Sequence, residues 1–292
     1  MSQTVKSRIR TLRKEYDRLK KGKASLLQMI AEAELPEGVY NSNAIENSTL
    51  TLKETEKILM ELELSRNVNV REVFEAKNLA RVAQYVEKKA MEAELMEEMM
   101  LLLHRMLIEN INDRIAGRFR KKGEYVRVGT HIAPPPEHVG LMIETIMDEY
   151  SSDHENYFLE KTARFHLEFE RVHPFVDGNG RIGRVIINFQ LQRLGFPPVM
   201  IRDKEKQAYY RAFRDYEGNP ERAAGMEHIL ALALMESLHK RIAYLRGKRI
   251  IALSDFGRKH KKSAPALFNA AKRQTIPAFR EKGVWKIAED GK

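Results

Sequence analysis

Chemically reactive side chains are concentrated in one short stretch of the chain, His173-Pro174-Phe175-Val176-Asp177-Gly178-Asn179-Gly180-Arg181, with a second arginine at Arg184. The imidazole of His173 could take a proton from a hydroxyl nucleophile. Asp177 offers the hard oxygen ligand that Mg²⁺ uses beside substrate phosphates. Arg181 and Arg184 could form charge-assisted hydrogen bonds to phosphate. The stretch therefore has the groups needed to hold a polyphosphate, a metal ion and an incoming hydroxyl.

Two helices are predicted to position this stretch. Apolar residues at spacings of four and three predict a helix over about 157–172, and Pro174 should end it at His173. A second helix is predicted over about 181–194, followed by Gly195 in a left-handed conformation. The glycine-rich segment then lies at a helix N-terminus, where unpaired N–H groups attract anions. An ordinary glycine turn between core helices is the alternative, but it leaves the matched reactive groups unexplained.

The segment from His173 to Arg184 resembles the Fic signature, H-x-F-x-D/E-G-N-G-R-x-x-R, at every fixed position. The resemblance implies a protein adenylyltransferase, which transfers AMP from MgATP to a Ser, Thr or Tyr hydroxyl of a target protein. It implies that His173 is the general base and that Asp177 binds Mg²⁺. It also implies a nucleotide-binding group that comprises Asp177, Gly178, Asn179, Gly180, Arg181 and Arg184.

Two neighbouring segments extend the resemblance. Residues 125–130 alternate like a short strand, and residues 125–136, which include three prolines, resemble the β-hairpin flap of the family. The edge of that flap is expected to pair with the target segment by strand addition. Further on, Tyr209 is expected in the adenine pocket, and Glu217 stands where relatives often carry an Asn. An ordinary surface hairpin and simple helix packing of the tyrosine are the alternatives. The flap residues expected near the nucleotide are Val128, Gly129, Thr130 and His131.

A second motif lies near the N-terminus, where Ser42-Asn43-Ala44-Ile45-Glu46-Asn47 resembles the inhibitory pattern of the family, S/T-x-x-x-E-G/N. Ser42 and Glu46 are four residues apart and would share one helix face. The resemblance implies that Glu46 pairs with Arg184 and takes it from the γ-phosphate of ATP. In some relatives the same glutamate aligns a water for removing AMP, so de-AMPylation is a second activity to consider. The alternative is Ser42 as a helix cap and Glu46 as a solvated charge.

Composition narrows the class of protein. The 292 residues include no cysteine, which excludes disulfides and thiolate metal sites. No run of about eighteen apolar residues is present, so no membrane-spanning helix is expected. The polar, basic N-terminus does not resemble a signal peptide. These features predict a cytoplasmic protein without a membrane partner, and a homo-oligomer is compatible with them.

The helical patterns predict a mainly α fold. The resemblance implies a Fic-type helical bundle with a small β-hairpin flap, and the C-terminal pattern resembles a winged helix-turn-helix-like domain. Residues 1–95 would form an N-terminal helical region that carries the inhibitory motif, and residues 96–240 would form the catalytic core. Residues 245–292 would form a separate basic module. Residues 241–292 hold fourteen Lys and Arg against four Asp and Glu. The net charge of this segment, +10, equals that of the whole chain.

Two classes of partner are compatible with the basic module, DNA and acidic proteins. Two short helices followed by a β-hairpin resemble a small winged helix-turn-helix of the excisionase type. Arg280 and Lys282 would then lie on the wing and contact DNA. A module that grips acidic protein targets is the alternative, because basic charge alone does not identify a partner. The phosphate contacts expected elsewhere in the module are Lys259, Lys261, Lys262, Lys272 and Arg273.

Three functions from different classes therefore follow from the sequence. The first is a self-inhibited protein adenylyltransferase that uses ATP and Mg²⁺ and modifies another protein or itself. The second is an enzyme of the same fold that removes AMP or transfers a phosphoryl or another nucleotidyl group. The third is a DNA-binding regulator in which the Fic core senses a nucleotide. The complete signature and the Glu46 motif favour the first.

Overall fold

The computed structural model describes residues 1–216 and 219–289. Its fold is mainly α, as the helical periodicity of the sequence predicts. The chain divides into two compact units. We call residues 36–196 and 201–227 the site unit, and residues 1–35, 197–200 and 228–292 the terminal unit. The division of the sequence at residues 95 and 240 stays a prediction about folding domains.

The elements follow one another along the chain with short connections. The helices are α1 (Gln3–Leu19), α2 (Ala24–Ile45), α3 (Leu52–Leu59), α4 (Val70–Lys89), α5 (Glu97–Ile108), α6 (Val139–Ser152), α7 (Phe158–Val172), α8 (Asn179–Arg193), α9 (Lys206–Tyr216), α10 (Ala224–Leu245), α11 (Leu253–Lys259) and α12 (Ala264–Lys272). The strands are β1 (Arg127–Val128), β2 (His131–Ile132), β3 (Arg249–Ala252), β4 (Ala278–Glu281) and β5 (Val284–Glu289). Within the described residues, no helix combines the length and the apolar character that crossing a membrane requires.

The predicted helix pair around the reactive stretch is confirmed. Helix α7 ends at Val172, and His173 follows it with φ 50° and ψ 62°, because Pro174 disfavours continued helical geometry. Helix α8 ends at Arg193, and Gly195 adopts φ 73°. The N–H groups of Gly195 and Phe196 return to carbonyls of the last turn at 2.7 and 3.0 Å. That pattern is a Schellman motif, which Gly195 makes possible.

The predicted flap is a β-hairpin, although it is shorter than the alternation over 125–130 suggested. Strands β1 and β2 pair antiparallel, with Arg127 opposite Ile132 and Val128 opposite His131. Gly129 at the turn has φ 60°, which a glycine adopts without strain. The two strands are exposed, so they form a projecting ribbon rather than part of a core.

In the terminal unit, β3, β5 and β4 form an antiparallel sheet in that order, and α11 and α12 pack with it. The predicted sequence of two helices and a hairpin is thus confirmed, and β3 is an addition that the pattern did not reveal. Strand β3 has only four residues and leads directly into α11, so its sequence is too short to show the alternation that predicts a strand. The core of this module contains Leu253, Leu267, Ala271, Ala278 and Ile287.

One prediction about the module is wrong. Arg280 was expected on the wing as a phosphate contact, but its Nε donates to Glu236 at 3.0 Å and its Nη2 donates to the same carboxylate at 2.5 Å. Its guanidinium also lies 4.6 Å from the ring centre of Trp285. Because both charged side chains are at most 15% exposed, Arg280 is committed to a structural ion pair.

Candidate active site

A cavity of about 580 Å³ in the site unit brings the predicted residues together. Its wall includes the end of α7, the first turn of α8, the turn after α2, the first turns of α4 and one flap residue. The residues that line it are Glu46, Asn47, Ser48, Thr49, Asn69, Arg71, Glu72, Glu75, Val128, His173, Val176, Asp177, Gly178, Asn179, Gly180 and Arg181.

The first turn of α8 is built to receive an anion. Gly178 caps the helix with φ 85°, a conformation that a side chain would strain. Asn179 fixes the loop from inside, because its side-chain amide exchanges hydrogen bonds of 2.8 and 2.9 Å with the backbone of Phe175. The backbone N–H groups of such a first turn lack intrahelical partners and, with the helix dipole, attract negative charge. The Asn179 side chain thus shapes the turn.

His173 borders the same cavity with a side chain that is 15% exposed. Its Nδ1 lies 3.3 Å from the carbonyl oxygen of Glu170. Burial lowers the pKa of His173 to about 4, and the nearby Arg120 adds to the lowering although the Glu170 carbonyl opposes it. At neutral pH the imidazole is therefore uncharged and able to accept a proton.

Arg120 fixes the end of α7 beneath the flap. Its guanidinium donates to the carbonyls of Val172 and His173 at 3.2 and 2.8 Å. It also donates to the carbonyls of Glu124 and Pro134 at 3.1 and 2.9 Å, on either side of the hairpin. One buried side chain thus holds both His173 and the base of the flap in place, since helix-end carbonyls need partners.

Asp177 belongs to an ionic network that includes α4. Arg181 donates to it at 3.2 Å, and Arg71 pairs with its other oxygen. Glu75 in turn accepts from Arg71 at 3.0 Å and lies 3.1 Å from Arg181. Although burial by itself raises the pKa of Asp177, Arg181 and Arg71 hold it below its usual value. The carboxyl is therefore an ionised, hard ligand.

The donor set around Asp177 fits a metal that is shared with a substrate. Among the described residues, no group of three or more His, Asp or Glu side chains could hold a metal ion alone. Mg²⁺ commonly binds one or two carboxylates, substrate phosphates and water, rather than an all-protein cage. Asp177 beside the anion-binding turn satisfies that requirement.

Arg184 is turned toward the end of α2. Its Nη2 donates to Glu46 Oε1 and to the carbonyl oxygen of Ser42, both at 2.8 Å, and its Nε donates to Ser42 Oγ at 3.0 Å. The Arg184 side chain is 7% exposed and that of Glu46 is 38% exposed. Although burial by itself lowers the pKa of Arg184, the Glu46 carboxylate raises it above its usual value. The structure therefore joins both predicted members of the inhibitory motif to this arginine.

Local backbone chemistry explains the end of the inhibitory motif. Glu46 follows the last residue of α2, and Asn47 adopts a left-handed φ of 66°. Ser48 N–H donates to the Asn43 carbonyl and Asn47 N–H to the Ala44 carbonyl, both at 3.0 Å, which closes a Schellman motif. An Asn or Gly after the glutamate therefore suits the left-handed residue that ends the helix.

Contacts with other elements hold this turn against the cavity. The Tyr210 hydroxyl of α9 donates to the carbonyl of Ile45 at 2.6 Å. The Glu72 carboxylate of α4 accepts from the hydroxyls of Ser48 and Thr49, both at 2.9 Å. Gly180 completes the fit, because a Cβ there would lie 2.2 Å from Glu46 Oε1. The Glu46 carboxylate consequently sits directly against the first turn of α8.

The remaining predicted residues are more dispersed. Of the four flap residues, Val128 lines the cavity, whereas the exposed Gly129 and Thr130 form the hairpin turn. His131 Nε2 lies 2.8 Å from the carbonyl oxygen of Arg171 and so ties the flap to α7. Glu217 lies outside the described residues.

Tyr209 is buried rather than on the cavity wall. It is 2% exposed, and its hydroxyl forms a hydrogen bond of 2.7 Å with His166 Nε2. Its ring centre lies 5.8 Å from the Arg184 guanidinium carbon. Burial lowers the pKa of His166 to about 3, so that imidazole is neutral. In this arrangement Tyr209 packs with Arg184, and an adenine contact would need its ring to become accessible.

Four contributors to the site were not assigned a role from the sequence. Arg71 and Glu75 come from a helix about a hundred residues before the signature, and no local pattern connects them with it. Arg120 lies in the segment that precedes the flap, but a lone arginine there has no distinguishing signal. Glu170 could have been found, because it lies three residues before His173 on the same helix face.

Comparison with known proteins relates part of this chain to a family of proteins. Residues 94–191 match the Fic/DOC family. Over 175 residues, or 59% of this chain, the sequence is 29% identical to the protein adenylyltransferase Fic of Drosophila persimilis and 30% identical to that of Drosophila melanogaster. The chain covers only 34% and 35% of those proteins, about a third of their length.

Solved structures show the same fold. A Fic domain containing signaling protein from Bacteroides thetaiotaomicron superposes with a TM-score of 0.75 at 25% identity, covering 83% of this chain and 98% of that one. A Fic family protein from Desulfovibrio desulfuricans gives a TM-score of 0.62 at 20% identity, covering 100% of this chain and 98% of that one. The mainly α Fic-type fold is thereby confirmed.

Gly183 provides a test of the packing between α7 and α8. A Cβ there would lie 2.6 Å from Glu170 Oε1 and 2.7 Å from His166 Cε1. We expect Gly183→Ala to lower the free energy of unfolding by about 1–3 kcal/mol, because both groups are buried and must shift. Gly140→Ala is the matched control: its Cβ meets nothing within 4 Å, so unfolding should become up to about 1 kcal/mol more costly. Chemical denaturation measures both, and equal effects would contradict this packing.

Proposed function

We propose, from the premise that residues 94–191 form a Fic/DOC domain, that this chain is a self-inhibited protein adenylyltransferase. It would transfer AMP from MgATP to a hydroxyl side chain of another protein or of itself. The observation that carries the proposal is that a neutral His173 and the anion-binding first turn of α8 line the same cavity. The names of the Drosophila relatives point to the same activity.

The proposed reaction uses these groups as follows. His173 takes the proton of the target hydroxyl, and the hydroxyl oxygen forms a bond to the α-phosphorus of ATP. The bond from that phosphorus to the bridging oxygen breaks, and pyrophosphate leaves with the electron pair. The first turn of α8 and Arg181 hold the phosphates. A Mg²⁺ ion held by Asp177 and the phosphates would neutralise part of the developing charge.

In the resting state, Glu46 blocks this reaction by holding Arg184. A carboxylate and a phosphate compete for the same guanidinium donors, so the γ-phosphate loses its partner while the pair persists. The net negative charge of the cavity wall also disfavours the binding of ATP phosphates. With Glu46 in place, the wall has four carboxylates against two guanidinium groups, namely Glu46, Glu72, Glu75 and Asp177 against Arg71 and Arg181.

Removal of AMP is the competing activity at this site. Glu46 lines the cavity and its side chain is 38% exposed, so its carboxylate could also align a water. Phosphoryl transfer is a further alternative on the same fold. Labelled ATP separates phosphoryl transfer from AMP transfer, because the γ- and α-phosphates report different bonds. Release of α-label from protein that is already modified reports the removal of AMP.

The proposed activity is tested with ATP labelled on the α-phosphate and, separately, on the γ-phosphate, with Mg²⁺ and cell lysate. Glu46→Gly should raise protein-bound α-label at least about tenfold over the original chain, because it frees a charged donor pair. Adding His173→Ala should lower that transfer about 10²–10⁴-fold, because the base is lost. Glu46→Asp, which keeps the charge, is the control and should stay largely inhibited.

Other outcomes reassign the site. Protein-bound γ-label without α-label would indicate phosphoryl transfer. Release of AMP from modified protein by the original chain, but not by Glu46→Gly, would indicate de-AMPylation. Absence of both labels in every variant, with a self-modification assay also negative, would contradict nucleotidyl transfer to protein.

We further propose that the C-terminal module binds duplex DNA. The exposed face of α12 combines small residues, an asparagine and cations, namely Pro265, Ala266, Asn269, Lys272 and Arg273. Lys261 and Lys262 are exposed just before the helix. Within residues 1–216 and 219–289, no carboxylate pairs with Lys261, Lys262, Lys272 or Arg273, whereas Lys259 pairs with Glu289 at 2.9 Å.

The length of α12 and the positions of its cations favour DNA over an acidic protein as the partner. Helix α12 has nine residues, so it is about 13 Å long, and cations lie at both of its ends. The major groove is about 12 Å wide and is bordered by phosphates. Small side chains on the exposed face let a helix approach the base edges closely, and an Asn can contact adenine.

The DNA proposal predicts a salt-dependent interaction that requires the end of α12. With a labelled duplex of three helical turns, Lys272→Glu/Arg273→Glu should weaken binding and reduce the slope of log K against log salt by about two, since two phosphate contacts are lost. The matched control is Lys88→Glu/Lys89→Glu at the end of α4, which should leave both quantities unchanged. Fluorescence anisotropy measures them. No binding at about 50 mM salt, or equal binding by all variants, would contradict the proposal.

A further inference from the structure

The carboxyl of Glu170 lies behind the proposed catalytic base, on the side away from any hydroxyl substrate at Nε2. Glu170 Oε2 is 3.6 Å from His173 Nδ1, and the two side chains are 12% and 15% exposed. Its Oε1 is buried and has no hydrogen-bond partner among the described residues. The reaction proposed above leaves this buried carboxyl without a role, although burying one is costly.

The neighbouring helix makes room for this carboxyl. A Cβ on Gly183 would lie 2.6 Å from Glu170 Oε1 and 2.7 Å from the ring of His166. Any larger residue at that position of α8 would displace the carboxyl from His173. The lack of a side chain at Gly183 thus lets the carboxyl lie beside the imidazole.

Several charged or titratable groups surround Glu170. Burial and, to a smaller extent, the Glu46 carboxylate raise its pKa to about 8, although the Arg184 guanidinium opposes them. The groups that face it are Glu46 from the end of α2, Arg184 from α8, Tyr209 and Tyr210 from α9, and His166 and His173 from α7 and its end. His173 itself is also influenced by Arg120 and His131.

We propose that Glu170 is a positioning residue for His173, and that its carboxyl orients the imidazole through Nδ1 and stabilises the imidazolium formed when Nε2 takes the target's proton. This inference rests on the proposed adenylyl transfer. A buried carboxylate beside the far nitrogen of a catalytic histidine holds one tautomer and favours the protonated ring. No further reactant is needed, because the proton passes from the hydroxyl oxygen to Nε2 while the Nδ1 proton stays.

Glu46 connects this pair to inhibition. Because the negative charge of Glu46 disfavours ionisation of Glu170, its departure from Arg184 favours the Glu170 carboxylate. The carboxylate then makes His173 a stronger base. Loss of the Glu46 contact therefore has two effects: it releases Arg184 for phosphate, and it prepares His173 for proton transfer.

The test compares Glu46→Gly with Glu46→Gly/Glu170→Gln. The Gln variant keeps the size of the side chain and the backbone carbonyl that lies 3.3 Å from Nδ1, so it removes the ability of the side chain to ionise. We expect kcat for AMP transfer to fall about 10–100-fold, with KM for ATP changed less than about twofold. The acidic limb of the pH profile of kcat/KM should move at least about one unit lower, because it then reports His173 alone and no longer the ionisation of Glu170.

A second readout does not depend on activity. In ¹⁵N-histidine NMR spectra, His173 is assigned by its absence in His173→Ala. We expect the Nδ1–H tautomer, and we expect Glu170→Gln to lower the pKa of His173 by about one unit in the Glu46→Gly background. Glu168→Gln is the matched control on α7: Glu168 accepts from Tyr216 at 2.5 Å and pairs with Arg171 at 2.8 Å instead. It should leave the His173 titration unchanged.

The outcomes separate this inference from the proposed function. If neither the acidic limb nor the NMR titration of His173 moves in Glu170→Gln, the positioning role is overturned. If Glu46→Gly transfers no AMP but the NMR titration moves as expected, the proposed reaction fails and the His173–Glu170 pair stands. Thermal denaturation of each variant checks that a fall in kcat does not come from unfolding.

Discussion

A buried guanidinium needs acceptors, and the arrangement of this site follows from that need at Arg184. With a side chain only 7% exposed, Arg184 cannot be left unpaired without a large desolvation cost. Ser42 and Glu46 supply the acceptors in this structure. The γ-phosphate of ATP is the competing acceptor in the proposed active state. Because one fork of donors cannot serve both partners fully, the proposed inhibition gives the site two alternative states rather than a continuous range.

The surrounding elements determine where each competitor can lie. The Schellman turn at Asn47 ends α2 so that Glu46 points at the first turn of α8, and Gly180 lets the carboxylate come close. The same first turn offers the backbone N–H groups that would hold the phosphates. In the proposed function, the Glu46 carboxylate and the phosphates of the substrate would therefore meet at one helix terminus. Arg120 keeps His173 in place through backbone carbonyls, independently of which competitor occupies Arg184.

Local rules made part of this structure predictable from sequence. Pro174 and Gly195 marked the helix ends correctly, because backbone geometry is decided by the residues themselves. The contact between Glu46 and Arg184 spans 138 positions and was expected only through the family resemblance. The salt bridge from α4 to Asp177 had no local signal at all. Arg280 was assigned to DNA wrongly, because its partner Glu236 lies 44 positions away and its burial is a tertiary property.

The competition for Arg184 is tested most directly by comparing the affinities of ATP and ADP, with Mg²⁺, by isothermal titration calorimetry. In the original chain, the γ-phosphate should add little affinity because its arginine is held. In Glu46→Gln, a charge-assisted contact of about 1.5–3 kcal/mol becomes available, so ATP should bind about 10–100-fold more tightly than ADP. The same ratio of ATP to ADP affinity in both proteins would contradict the account, whatever their absolute affinities.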